Sequence, residues 1–105
     1  MANRHRGEIE AELGGRRFTL CLTLGALAEL EHAYGGADLL AIAERFESGR
    51  IGATDAIRVI AAGLRGAGHP LSDGVVAALG TEGAAAGYMR IVAELLTATF
   101  GQAGP

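Results

Sequence analysis

The chain has no tryptophan and no lysine, one cysteine, two prolines and an aromatic share of 5% in 105 residues. Each scarcity closes an option. A lone Cys21 cannot form an internal disulfide, nor build a cysteine-based zinc site within one chain. No apolar run approaches the roughly 20 residues of a membrane span. Arg4, His5 and Arg6 have no apolar segment behind them, so the N-terminus does not read as a signal peptide, and a cytoplasmic protein is expected. All nine basic side chains are arginines, scattered rather than clustered, and the net charge is -3. Nucleic-acid binding normally shows a basic patch or stripe, so no nucleic-acid partner is expected. GC-rich coding explains the arginine bias better than a binding role does, because the arginines are scattered.

Half of the residues are hydrophobic, but many of these are alanine. The large core formers are Leu, Ile, Val, three Phe and two Tyr. One modest domain fits this length, with a thin core that partner surface could complete.

The clearest local pattern opens the chain. Ile9, Ala11 and Leu13 alternate with Glu8, Glu10 and Glu12; after Gly14-Gly15, Phe18, Leu20 and Leu22 alternate with Arg17, Thr19 and Cys21. Two glycines supply the positive φ angles of a type I′ turn. The resulting register sets Ile9 opposite Leu20, Ala11 opposite Phe18 and Glu12 opposite Arg17. The last of these is a cross-strand ion pair on the wet face.

Helical spacing follows. Thr23 caps a helix whose stripe, Leu24, Leu27, Leu30 or Glu31, and Tyr34, is expected to face the hairpin. Asp38 caps a second helix with a broad apolar face of Leu39, Leu40, Ile42, Ala43 and Phe46, and with Glu44, Arg45 and Glu47 turned out. Thr54-Asp55 opens a third, with Ile57, Ile60, Ala61 and Leu64 inward and Arg58 and Arg65 outward. Ser72-Asp73 caps a short fourth, and a fifth runs to Phe100 with Tyr88, Ile91, Val92, Leu95 and Leu96 on its face. The predicted fold is α+β: a two-stranded antiparallel hairpin over about 7–13 and 16–23, then five helices over about 24–34, 38–48, 54–66, 72–79 and 82–100. Residues 1–6 read as a loose arm, 7–101 as one domain and 102–105 as a frayed end.

No catalytic constellation emerges, and no catalytic, cofactor or metal residue is assigned. Gly63-Leu64-Arg65-Gly66-Ala67-Gly68 ends a helix instead of joining strand to helix, so it is not a phosphate loop. His5, His32 and His69 are too far apart for metal-ligand spacing on one helix. Cys21 lacks an activating neighbour. The glutamate row is a regular strand face. Gly83-Ala84-Ala85-Ala86-Gly87 has the spacing of close helix packing, within the chain or between copies.

The run from Arg6-Gly7-Glu8-Ile9 through Gly14-Gly15-Arg16-Arg17-Phe18 to Leu24-Gly25-Ala26-Leu27-Ala28-Glu29-Leu30-Glu31 resembles the small gene transfer agent family proteins. These are grouped with phage tail-assembly chaperones and sometimes labelled tail tube proteins. The likeness continues through Leu39–Phe46, Gly63–His69 and Leu71-Ser72-Asp73. It implies a non-enzymatic protein of a phage-like tail, without cofactor. Its implied partners are the helical tape-measure protein and other tail proteins, with a homo-oligomer as a further option. A tail tube or tail-terminator component retained in the particle is the alternative. Leu40, Phe46, Leu95 and Phe100 are the candidate partner contacts, as apolar residues expected to stay exposed.

Overall fold

A computed structural model describes residues 2–101; the expected fraying of 102–105 lies outside the described residues. After a 3-10 turn at Arg4–Arg6, the elements are β1 (Glu8–Leu13), β2 (Arg16–Cys21), α1 (Leu24–Ala33), α2 (Leu39–Glu47), α3 (Ala53–Gly66), α4 (Asp73–Leu79) and α5 (Ala84–Phe100). This is the expected α+β order, with ends shifted by only a residue or two.

The hairpin has the predicted register: Ile9 pairs with Leu20, Ala11 with Phe18 and Glu12 with Arg17. Gly14 and Gly15 turn at φ +60° and +79°, which suits residues without a Cβ. Ile9, Ala11, Leu13, Phe18 and Leu20 are all buried on one face. On the other face the ion pair is diagonal: Arg17 Nη2 lies 3.3 Å from Glu10 Oε1, not against Glu12 directly opposite. Strand twist brings such diagonal neighbours within reach of a long side chain.

The helix covering the hairpin is not the one expected. α3 packs on β2 and α5 on β1, whereas α1 packs chiefly on α3. Leu24 is 79% exposed, and the buried residues of α1 are Ala26 and Leu30. α3 is thus the central helix, with Val59, Ile60, Ala61 and Leu64 fully enclosed. The close approach depends on two glycines of the run set aside above as a phosphate loop. A Cβ on Gly66 would lie 2.0 Å from the Cys21 carbonyl oxygen, and one on Gly63 would lie 2.7 Å from Leu95 Cδ2.

Thr23, Asp38 and Ser72 accept hydrogen bonds from the backbone N–H of Ala26, Ala41 and Val75, so three predicted N-caps are in place. Arg65, expected to point outward, is a half-buried tie instead. It reaches Glu29 on α1 at 2.9 Å, the Leu71 carbonyl at 2.9 Å and Asp73 at 3.2 Å. Tyr88 clips α4 in the same manner: its hydroxyl accepts from Gly80 N–H at 2.7 Å and donates to the Val76 carbonyl at 3.0 Å. No helix among the described residues is long and apolar enough to cross a membrane.

Candidate functional site: an apolar strip along α5

α5 is apolar on more than its core-facing side. Gly87, Ile91, Val92 and Leu95 are buried. Ala85, Met89, Ala93, Leu96 and Phe100 form a second row at three- and four-residue spacing, exposed or half-buried. Successive members of such a row stand above one another on a helix, so the strip runs about 22 Å. Two grooves of about 550 Å³ each lie along it. One is walled by Ala53, Ile57, Ala77, Ala85, Tyr88 and Met89, between α3, α4 and the start of α5. The other is walled by Ala43, Phe46, Ala93, Leu96 and Phe100, between α2 and the end of α5. Ile51 borders both and makes them neighbours. Among the described residues, Glu47 is the one charged side chain lining either groove.

The four candidate contacts do not come together. Leu40 is 70% exposed and Phe100 45%, but Phe46 and Leu95 are buried at 6% and 0%. Leu95 faces the core from the inner row of α5. Phe46 turns inward, its ring edge-on to Tyr34 at 6.2 Å, and only borders the second groove. Leu40 lines neither groove. Ile51, Ile57, Ala85, Met89 and Ala93 were not anticipated. The signal that marks them is the scarcity of charge on α5, where Arg90 and Glu94 are the charged residues in a 17-residue helix. A surface helix with a single buried stripe is usually more polar on its outer side.

Around the buried Asp55 stands a polar cluster that sequence reasoning missed; its Tyr34 and Arg45 line a separate hollow with Ala37, Ala41 and Ile42. Asp55, 5% exposed, accepts hydrogen bonds from the Tyr34 hydroxyl at 2.5 Å, Gly52 N–H at 2.8 Å and Arg45 Nη2 at 3.3 Å. Burial alone would raise its pKa, but these donors outweigh burial and hold the carboxyl below its ordinary value. Burial, with the facing Asp55, pushes Tyr34 up to about 12, against a smaller opposite pull from Arg58. Arg45 and Arg58 lie over the Tyr34 ring at 5.5 Å and 5.3 Å.

Cys21 is half-buried and directs its thiol at the Arg6 carbonyl, 3.6 Å away. Burial, then the charge of Glu8, raises its pKa against the weaker effect of Arg6, which is the reverse of nucleophile activation. The Gly-x-x-x-Gly spacing serves the monomer. A Cβ on Gly87 would fall 2.2 Å from the Glu82 carbonyl oxygen, so this glycine lets the chain double back at the start of α5. Among the described residues, no three His, Cys, Asp or Glu side chains converge as metal ligands do.

The described residues thus combine a small α+β fold with an apolar strip along α5 and a polar cluster around Asp55. A family described as "Phage tail tube protein, GTA-gp10" matches residues 6–102, and the chain belongs to that family. It is therefore a phage-tail-related protein of the gene transfer agent type. No curated protein and no solved structure matches the chain.

Proposed function

We propose that the protein is a non-enzymatic tail-assembly chaperone that holds an apolar face of the helical tape-measure protein against the α5 strip. The strip carries this reading: it is long, nearly free of charge and walled by helices. Helical walls have spent their backbone N–H and C=O groups internally, so an occupant must satisfy its own. An amphipathic helix does so, whereas an added strand would not. The hairpin is a poor alternative for strand addition along β1. Its outer edge is engaged at one end by Glu8 N–H donating to Asn3 O, and at the other by Thr81 donating to Glu12 O.

Co-expression with the tape-measure protein and affinity capture tests the proposal. Capture is expected with the natural chain and is lost with Ala85→Glu and Ala93→Glu, both at exposed positions. Equal solubility of the partner without this protein, and no capture, overturns it. The description of the family favours a second reading, a tail tube subunit that persists in the particle, with a retained tail-terminator component as its variant. The first reading places the protein in the cytoplasm, the second in the particle.

A further inference from the structure

We propose that α2 is a hinged wall of the second groove, latched by Arg45 on Asp55, and that it swings outward as a unit to admit an occupant. The link to an occupant rests on the chaperone reading; the motion itself does not. α2 packs chiefly on α1, and its buried residues are Ile42 and Phe46. Its flanks turn at Gly35 and Gly36, with φ +73° and +91°, and at Gly49, with φ +81°. A Cβ built on any of the three meets nothing within 4 Å, so no side-chain packing holds these turns; their N–H groups donate only to the adjoining helix ends, Gly35 to His32 O, Gly36 to Glu31 O and Gly49 to Phe46 O. α2 also carries its own end contacts. Asp38 accepts from Ala41 N–H at 2.9 Å, and Ser48 N–H donates to Glu44 O at 3.0 Å, so neither end depends on the body.

The latch is built to release. The hydrogen bonds that tie α2 to α3 run from Arg45 to Asp55, at 3.3 and 3.5 Å. The Arg45 side chain is 48% exposed, so water can solvate it once it lets go. Asp55 keeps Tyr34 and Gly52 as donors after Arg45 leaves, and no buried carboxylate is orphaned. Opening would uncover Phe46 and widen the groove that it borders.

Thiol labelling tests the motion without any partner. In a Cys21→Ser background, Ile42→Cys is compared with Val92→Cys, whose side chain is enclosed between α5 and the core. A separately opening α2 labels about tenfold faster or more at position 42, as expected of a low-stability unit. Arg45→Met should then accelerate position 42 several-fold and leave position 92 unchanged. Equal labelling at the two sites, or equal acceleration of both, overturns the proposal. If a core cysteine prevents folding, spin labels at the exposed sites Leu40→Cys and Ala78→Cys decide it. A second, longer distance that grows with Arg45→Met supports the hinge, and one unchanged narrow distance in both proteins overturns it. Failure of these tests leaves the capture experiment untouched, and failure of capture leaves them readable.

Discussion

At the scale of residues, Asp55 and Gly66 are the positions where one atom decides most. Asp55→Ala removes the acceptor of three donors and leaves Arg45 and Tyr34 without their partner; a loss of about 2–3 kcal/mol in urea unfolding is expected. The pH dependence follows in sign. Because the folded pKa of Asp55 is depressed, its contribution is present above its unfolded value and fades as pH falls below about 4. Tyr34 behaves oppositely. The fold favours its neutral phenol, so stability is full below about pH 10 and declines as pH rises towards about 12. Ultraviolet titration should show a phenol ionising near 12 that Tyr34→Phe removes. Gly66→Ala sets a methyl 2.0 Å from a backbone oxygen that has no room to yield. A cost of about 3 kcal/mol is expected, measured in the same unfolding experiment.

At the scale of elements, what was legible is what period and punctuation encode. The alternation around Gly14-Gly15 determines the hairpin register, and Thr23, Asp38 and Ser72 mark helix starts. Which helix lies on the hairpin is not a local property. α1 follows β2 directly, yet α3 takes the place because Gly63 and Gly66 let its backbone approach β2 as α1 cannot. The glycine spacing was visible, but its partner, the Cys21 carbonyl, was not. Asp55 was missed for a related reason. As an acid in the first turn it looked like a cap, and it does accept from Gly52 N–H, but its other partners are Tyr34, just past the end of α1, and Arg45 on α2. On α5 the face through Ile91, Val92 and Leu95 was legible and is buried, but the second apolar row through Ala85, Met89 and Ala93 was not, because small apolar residues at helical spacing do not say whether they are covered. Tyr88, placed on the face of α5 from the sequence, also fastens α4. Tyr88→Phe removes both of its hydrogen bonds and should cost about 1–2 kcal/mol, read as a lowered melting temperature.

At the scale of the whole molecule, apolar surface is left over after the core is complete. Among the described residues, twenty hydrophobic side chains form one buried cluster, so the grooves are not gaps in an unfinished core. Ala85→Glu and Ala93→Glu place charge where solvent already reaches, and should leave thermal stability within about 0.5 kcal/mol of the natural chain. Loss of partner capture without loss of stability therefore assigns the strip to contact with another protein. That result alone does not separate a chaperone from a tail subunit, since both need a contact surface. Particle composition does. A chaperone is displaced before the tail is finished, so mass spectrometry of purified particles should find tube subunits in many copies and this chain absent. Many copies of this chain in the particle would overturn the chaperone reading and favour the tube subunit. In that case the two strip substitutions should block tail formation itself, visible as tailless heads by electron microscopy. For a chaperone, the same substitutions should instead deplete soluble tape-measure protein, and any tails that do form should lack this chain.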